Sequence, residues 1–352
     1  MIFVLYHYCV SLLVMCSNTP FPPIDHSYIL SFQFSSWYPV FSDLTIKSKI
    51  IRPLSQDFRE YLDSESVFIP EGSEDVPFHS ELADNSDEED VDEGPRFAFP
   101  ELDAKIRECI MEYGAVFPKL NFSSPKDASW ILPASSPLKC TSPADVYMLL
   151  KSSDFIAHDL DVNRVFDVST AADAAPPYEL ELVLRKWYPV DKSRELRCFV
   201  RKNRLLGIAQ RDTNYYEYLN DPETKGKLVS AVKTYWESKV RTRWKANEDY
   251  VFDILMTRDL SRGHILDFNP YALRTDALLF TYEDLQALSE VNGDTPVLRV
   301  IDSPSHPAAT RNAPANSHNI IPFEALDMSS GKSIDAFAEI WERSIQESME
   351  EV

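Results

Sequence analysis

The chain has 352 residues, of which 44% are hydrophobic and 12% aromatic, and its formal net charge at pH 7 is −21. This length and composition are typical of a globular protein with one large domain or two modest ones. The strong negative charge argues against broad binding to nucleic acids or to anionic membranes.

Cysteine and glycine usage excludes several further classes. The five cysteines are scattered without CxxC spacing, which favours buried thiols in a reducing compartment over a disulfide framework or a zinc site. The eight glycines form neither a GxGxxG nor a GxxxxGK[ST] pattern. A nucleotide site of the Rossmann or P-loop type is therefore not expected.

The first thirty residues are apolar but do not form a complete targeting signal. Met1–Met15 resembles the hydrophobic part of a signal peptide, yet the first Lys or Arg is Lys47 and no A-x-A cleavage pattern follows. The stretch is also too short to span a bilayer as a helix. We expect residues 1–30 to be a disordered extension, with a misassigned start codon or a true signal as alternatives.

Residues 31–70 should form a segment that packs on the core. It contains the aromatic-rich stretch Phe32–Pro39, the alternating stretch Thr45–Arg52 and a short helix at Phe58–Leu62. Glu71–Gly94 follows, with eleven acidic residues and no Lys or Arg. Low hydrophobicity and high charge predict a disordered loop, assigned to residues 71–96, and favour a solubilising role over a binding role.

Helical and strand patterns alternate in the next part of the chain. Apolar residues at helical spacing predict a helix over Phe99–Gly114, with the glycine as its cap, and Ala115–Leu120 is typical of a strand. Ser142 and Pro143 predict a helix start. In Tyr178–Tyr188, side chains alternate between two faces.

The second half of the chain is predicted to hold two hairpins and three helices. Leu196–Val200 and Leu205–Gln210 form a hairpin across Lys202 and Asn203, and a helix covers Lys227–Val240. A further helix starts at Thr281 with a capping box and ends at Asn292 and Gly293, and Ile334–Glu347 is amphipathic. For this last helix, packing on the core is favoured over partner binding. Together these elements predict an α+β fold with antiparallel sheets and helices on one face.

The second hairpin carries a candidate metal site. Val251–Met256 and His264–Phe268 flank a polar loop, and a turn centred on Leu260 would place Met256 opposite His264 and Asp253 opposite Asp267. Asp253, Asp267 and Asn269 would then share one face. Mg²⁺ would relieve the repulsion between the two carboxylates. The alternative is a solvated acidic face with Asn269 and Pro270 as a turn.

A basic stretch stands out in this acidic chain. Arg185–Arg211 contains nine basic residues and two acidic ones. One interpretation is a binding site for an anion. The other is a set of exposed basic residues that protect a sheet edge from pairing. Lys119 and Lys126 lie where they could also reach a phosphate, although each alone is more often a surface lysine.

Five long motifs resemble the cell division cycle protein 123 family. They are FPKLNFSSPKDASWI (Phe117–Ile131), LLKSSDFIAHDL (Leu149–Leu160), ELVLRKWYPV (Glu181–Val190), ELRCFVRKNRLLGIAQRD (Glu195–Asp212) and the pair VFDILM and ILDFNP in the second hairpin. The resemblance runs from about Phe32 to Leu326. It leaves out residues 1–30 and the acidic run.

The resemblance implies an ATP-grasp-like fold, with ATP and Mg²⁺ bound in a cleft between two lobes of antiparallel sheet. The main domain would cover residues 97–330, with lobes at roughly 97–190 and 191–330 and a C-terminal helix and tail at 331–352. Similarity implies nucleotide contacts from Lys119, Asn121, Ala128, Arg185, Lys186, Trp187, Tyr188 and Arg197. It implies metal ligation by Asp253, Asp267 and Asn269.

Members of that family act as assembly chaperones for eukaryotic translation initiation factor 2 and contact its gamma subunit. By resemblance we expect a cytoplasmic monomer needed for translation initiation and cell-cycle progression, with no direct nucleic-acid or membrane contact. No catalytic residue stands out, so turnover of ATP is not expected. The alternatives are an ATP-grasp ligase that forms an acyl phosphate and, more distantly, an RNA-interaction factor that uses Arg185–Arg211.

The sequence departs from the family pattern at a few apolar positions. The segment Phe32–Pro39 lacks the Cys expected before its SxWYP-like stretch, Leu196 replaces a common Phe, and Phe122 replaces a common Trp. These exchanges affect details of packing rather than function.

Overall fold

The structure is a computed structural model. It describes residues 20–64, 68–74, 97–133, 135–167, 169, 176–291 and 293–310. Helices α1 to α10 are His26–Leu30, Phe34–Phe41, Gln56–Asp63, Pro100–Tyr113, Pro143–Lys151, Asp154–Leu160, Val162–Val165, Pro222–Tyr235, Tyr282–Glu290 and Pro307–Thr310. Strands β1 to β8 are Ser48–Ile51, Val116–Lys119, Leu182–Lys186, Glu195–Arg201, Arg204–Gln210, Tyr250–Met256, Gly263–Pro270 and Val297–Arg299. The predicted α+β class is confirmed.

The smaller sheet has three antiparallel strands in the order β1-β3-β2. Its central strand β3 is buried on both faces, because Leu182 and Leu184 pack in the core of the smaller lobe while Val183 packs in the core of the larger lobe. The predicted alternation is therefore present. However, its polar members Glu181 and Arg185 are buried as well, and each must find partners inside the protein.

The larger sheet has five strands in the order β7-β6-β4-β5-β8. Its long strands are antiparallel, as predicted, and the three-residue strand β8 adds a parallel pairing with β5 at the edge. Helices α8 and α9 cover opposite faces of the sheet, since Leu228 joins one core cluster and Leu285 another. The predicted placement of helices on one face is therefore wrong.

The two hairpins form where the sequence predicted them. Strands β4 and β5 turn at Lys202 and Asn203, both in the left-handed region, with φ of 50° and 55°, which is the backbone geometry of a tight hairpin turn. Strands β6 and β7 place Asp253 opposite Asp267, as predicted. A bulge after Asp253 then shifts the register by one residue, so His264 lies opposite Leu255 and not Met256.

Most predicted helices form close to their expected bounds. Helix α4 is capped by Gly114, with φ of 82°, and Ser142 closes a capping box with Asp145 at the start of α5. Helix α8 begins five residues before the predicted Lys227 and continues through a π-helical turn at Trp236–Val240. Helix α9 has the predicted capping box but ends at Glu290.

The N-terminal part is more ordered than predicted. Residues 20–30 are described, and α1 buries Ile29 completely in the larger core, so the expected disorder up to residue 30 is wrong for this portion. The predictions for Met1–Met15 and Ile334–Glu347 lie outside the described residues. In the part of the chain that the structure covers, we find no helix with the length and apolar character needed to cross a membrane.

The acidic run is anchored at its start. Glu71 pairs with Ala98 in a parallel bridge, and its backbone N–H donates to the carbonyl of Phe97. Ser73 is fully buried and accepts a backbone hydrogen bond from Ala144. The predicted disorder is therefore wrong for residues 71–74, and the rest of the run, from residue 75 to residue 96, lies outside the described residues.

The three described cysteines lie in the core. Cys109, Cys140 and Cys198 are buried and free, and burial raises the pKa of the Cys140 and Cys198 thiols. Each behaves as a small apolar side chain in a core cluster.

Candidate functional site

A cavity of about 500 Å³ lies between the two sheets. The smaller sheet contributes Phe117 from β2 and Arg185 and Lys186 from β3, and the larger sheet contributes Leu266 and Asp267 from β7. Clefts of roughly 300–1,000 Å³ are the usual size for small-molecule and cofactor sites. The smaller sheet, the larger sheet and the segment that links them thus enclose a volume suited to such a ligand.

One part of the lining is apolar. The segment after β3 provides Trp187, Tyr188 and Pro189, and Leu138 adds an aliphatic side chain. The indole of Trp187 is fixed, since its Nε1–H donates to the carbonyl of Pro137 at 3.1 Å. This surface can hold a flat aromatic ring by apolar contact.

Another part of the lining is strongly charged. Lys126, Arg185, Lys192 and Arg211 line the cavity together with Glu195, Asp212 and Asp267. Lys126 is exposed to the cavity. Removal of water between the lobes, reinforced by repulsion from Arg211, lowers the pKa of its ammonium group to about 7. These cations lie where a negatively charged ligand would be neutralised.

Arg185 is a buried cation without a carboxylate partner. Its side chain is only 6% exposed, and its Nη1 and Nη2 donate to the carbonyl of Leu266 at 2.7 Å and to the Thr45 hydroxyl at 3.2 Å. Its Nε–H has no hydrogen-bond partner, and no described acidic residue forms an ion pair with it. Burial lowers the pKa of this guanidinium. A buried charge that the protein leaves uncompensated indicates an anionic ligand.

Arg197 contacts the predicted metal ligand Asp253. Its Nε and Nη2 donate to the two carboxylate oxygens at 2.8 and 2.9 Å, and its Nη1 donates to the carbonyl of Asp276. Arg211 adds a second ion pair to Asp253 at 3.1 Å. Burial alone would raise the pKa of Asp253, but the two guanidinium groups hold it well below its usual range. This cluster lies beneath the cavity. Of its three residues, only Arg211 lines the cavity.

Lys119 contacts the other predicted carboxylate. It is 1% exposed, and its ammonium lies 3.0 Å from Oδ2 of Asp267 while donating also to the carbonyl of Phe122. Asp267 itself lines the cavity. The structure therefore brings Lys119, Arg197 and the two carboxylates together, with each carboxylate neutralised by a different cation.

Asn269 lies on the same strand face as Asp267, two residues further along β7. Its Nδ2 is buried and has no hydrogen-bond partner. An unsatisfied buried N–H donor costs roughly 1–3 kcal/mol, so this atom is typical of a group that donates to a ligand acceptor, whereas an ion would have to bind the amide oxygen. Asn269 does not itself line the cavity. No described cluster of three or more His, Cys, Asp or Glu has the geometry of a metal site, so any ion here would depend on this amide.

Four of the residues expected at the nucleotide do not line the cavity: Lys119 and Arg197, described above, and Asn121 and Ala128. Asn121 is fully buried, and its amide donates to the carbonyl of Glu179 and accepts from the N–H of Glu181, both at 2.8 Å. Ala128 is fully buried in the core of the smaller lobe. Neither lines the cavity, because Asn121 ties two backbone segments together and Ala128 packs beneath the loop that carries Lys126.

Three of the basic residues that line the cavity were absent from the predicted site. Lys126 lies in the motif that follows β2, while Lys192 and Arg211 belong to the basic stretch. The excess of basic residues was a signal for the last two. It could not separate them from Arg201 and Arg204, whose partners are Asp249 and the carbonyls of Leu288 and Ser289.

Comparison with known proteins decides the family. The family model described as D123 matches residues 37–329. The chain belongs to the D123 family. The similarity to the cell division cycle protein 123 family inferred from the motifs is confirmed.

Curated relatives of this D123 protein share most of its length. The translation initiation factor eIF2 assembly protein of Schizosaccharomyces pombe is 39% identical over 328 residues, which is 91% of this chain and 96% of the relative. The protein of the same name from Xenopus laevis is 40% identical over 280 residues, 76% of this chain and 80% of the relative.

A solved structure shares the fold. Cdc123 from Schizosaccharomyces pombe superposes with a TM-score of 0.66 at 35% sequence identity, covering 80% of this chain and all of that chain. The arrangement of two sheets around a cleft is therefore the D123 fold.

Proposed function

We propose that this D123 protein binds ATP in the cleft between its sheets and acts as an assembly factor for translation initiation factor 2. The observation that carries the nucleotide site is Arg185, a buried guanidinium beside a cavity of about 500 Å³ with no described carboxylate to neutralise it. The assembly role is supported by the relatives, which are named eIF2 assembly proteins and match most of this chain.

The proposed nucleotide spans the two kinds of lining. Trp187 and Tyr188 hold the adenine by apolar contact, and the backbone of this segment supplies hydrogen bonds. The triphosphate is held by Arg185, Lys126 and Arg211. A guanidinium presents five donors in a fixed plane, which suits phosphate oxygens better than the single point charge of lysine.

The oxygen donors on β6 and β7 fit Mg²⁺. Asp267, Asn269 and Asp253 offer carboxylate and amide oxygens on one face of the β6–β7 hairpin. Mg²⁺ takes one or two carboxylates together with phosphate oxygens. It would supply neutralisation of the phosphate charge, while Lys119 and Arg197 keep the carboxylates oriented.

ATP acts here as a structural ligand that fixes the relative position of the sheets. Arg185 from the smaller sheet and Arg211 from the larger one both approach the cavity, so a bound triphosphate would hold them together. A ligand present at a hundredfold excess over its dissociation constant stabilises the state that binds it by about 2.7 kcal/mol. The gamma subunit of factor 2, in the cytoplasm, recognises the closed arrangement.

The experiment measures Mg·ATP binding by calorimetry and capture of the gamma subunit in a pull-down, beside a phosphate-release assay. Arg185→Gln should weaken ATP binding at least tenfold and weaken capture by a similar factor, because the two events are linked. Arg164→Gln, at an exposed arginine of α7, is the matched control. Thermal melting establishes that both variants fold.

Two results would overturn the proposal. Unchanged ATP affinity in a folded Arg185→Gln variant removes the nucleotide site. Rapid phosphate release that depends on a small carboxylic acid, with capture indifferent to ATP, would identify a ligase instead.

A further inference from the structure

A second cavity lies on the larger lobe, behind the segment that joins the sheets. It is a groove of about 630 Å³, which we call the hairpin groove. Its floor is aliphatic and comes from β4, the short 3-10 helix Glu217–Asn220, α8 and the hairpin β6–β7, through Leu196, Leu219, Leu228 and Met256, each at most 5% exposed. The more exposed apolar surface of the groove is provided by Leu260 and Tyr218.

The turn of the hairpin forms one wall of the groove. Leu260 lies at this turn with φ of 56°, in the left-handed region that a leucine rarely adopts. Its side chain is only partly buried and packs against the larger core at the groove. The backbone conformation thus directs an aliphatic side chain toward the groove instead of exposing a polar turn residue.

The rim of the groove carries a free positive charge. Arg258 is exposed and has no ion-pair partner among the residues that the structure covers, whereas the other rim arginine, Arg194, is paired with Asp191 at 2.8 Å. Tyr218 completes the rim and is 42% exposed. An apolar floor beside an unpaired cation fits an amphipathic helix with acidic residues along one edge of its apolar stripe.

Such a sequence occurs in this same chain. Ile334, Phe337, Trp341 and Ile345 are spaced by three or four residues and form one helical stripe. At about 100° per residue, Asp335, Glu339 and Glu342 all lie along the same edge of that stripe. The segment lies beyond residue 329, where the match to the D123 family model ends.

The chain runs close to the groove before it reaches this segment. Ile301 accepts a hydrogen bond from the side chain of Asn220 at 2.8 Å, and Asn220 follows the groove residue Leu219. From Thr310, where the description ends, 24 residues lead to Ile334. At about 3.3 Å per residue that connection spans up to roughly 80 Å, so the segment reaches the groove with slack.

We infer that the segment Ile334–Ile345 docks as a helix in the hairpin groove of its own chain, with its acidic edge beside Arg258. An intramolecular helix is favoured over one from another molecule because the connecting chain keeps it at a high effective concentration. The docked segment would cover Tyr218 and Leu260.

Hydrogen exchange on the full chain at low concentration tests this inference. Backbone amides of residues 334–345 should exchange at least tenfold more slowly than an unfolded chain. Arg258→Glu and, separately, Trp341→Ala should each abolish that protection. Arg262→Glu is the matched control, since Arg262 is an exposed arginine of the same turn that does not line the groove. Adding Glu339→Arg to Arg258→Glu should restore protection.

Each other outcome overturns the inference. Exchange at the unfolded rate in the unmodified chain shows that the segment does not dock. Protection that increases with protein concentration shows that the groove holds a second copy, and protection that appears only with the gamma subunit assigns the segment to that partner. Protection that survives both Arg258→Glu and Trp341→Ala places the segment somewhere else.

Discussion

Asp253 lies directly opposite Asp267 across the β6–β7 ladder, yet the two carboxylates do not share a cation. Asp253 is held by Arg197 and Arg211, and Asp267 by Lys119. The repulsion that would favour a metal ion between them is therefore already offset within the protein. Mg²⁺ would join these ion pairs when the phosphates arrive, rather than fill a site that is unstable without it.

This arrangement changes what removal of a carboxylate should do. Loss of one of two repelling acids would stabilise the protein, but Asp253→Ala leaves Arg197 buried without its partner. Breaking one side of a buried ion pair costs about 3–5 kcal/mol. We expect urea unfolding to show a loss of this order for Asp253→Ala and a comparable loss for Asp267→Ala, because the latter leaves Lys119, which is 1% exposed, without its carboxylate. Equal, small effects would contradict the burial argument.

The lowered pKa of Lys126 predicts that nucleotide binding depends on pH. Its pKa of about 7 in the free protein should rise when a triphosphate lies beside it, so binding takes up a proton above pH 7. Affinity for Mg·ATP should therefore be greatest below pH 7 and decrease as the pH rises from 7 to 9. The charged groups around it are Arg211, Glu195, Asp253 and Asp267.

Calorimetry in two buffers of different ionisation enthalpy measures the proton uptake directly. Lys126→Arg is the matched variant, because arginine stays charged throughout this range. It should bind ATP with little pH dependence and without proton uptake. An equally steep pH profile in Lys126→Arg would show that another group titrates.

Substitution of Asn121 tests whether its side chain has a structural role or contacts a phosphate. Its two hydrogen bonds tie the backbone at Glu179 and Glu181, next to β3, to the end of β2. Asn121→Ala removes the acceptor of the buried Glu181 N–H, at about 1–3 kcal/mol, and the donor to the part-buried carbonyl of Glu179. We expect a lower unfolding free energy, with ATP affinity reduced less than threefold in the folded fraction. A stable variant that has lost ATP binding would restore the phosphate role implied by family resemblance.

Local patterns predicted the elements more reliably than their layering. A turn centred on Leu260 placed Asp253 opposite Asp267, but nothing in the sequence marked the bulge that follows Asp253. Strand β8 was missed because it is three residues long and pairs with β5 from a distant position in the chain. The prediction of helices on one face also failed, because α8 and α9 pack on opposite faces of the larger sheet.

For the candidate site too, the sequence predicted which residues matter better than it predicted their contacts. Motif resemblance and the basic stretch pointed to Arg185, Arg197 and the two aspartates, and all four lie at or just beneath the cavity. Which arginine lacks a partner depends on side chains far apart in sequence. Arg197 meets Asp253 across 56 positions, whereas Arg185 meets only neutral groups such as Thr45. That difference exists only in the folded chain.

The start of the acidic run offers a matched pair of deletions. Removal of residues 76–94 should leave the melting temperature within about 2 °C of the full chain, since charged segments of this composition bury little apolar area. Removal of residues 71–94 also takes away buried Ser73, which accepts from Ala144, and the carbonyl of Gly72, which accepts from Arg107 at 2.6 Å. At about 2–4 °C per kcal/mol, the longer deletion should lower the melting temperature by at least 4 °C. Equal melting temperatures for the two deletions, measured by calorimetric scans, would show that the anchor at residues 71–74 contributes nothing to stability.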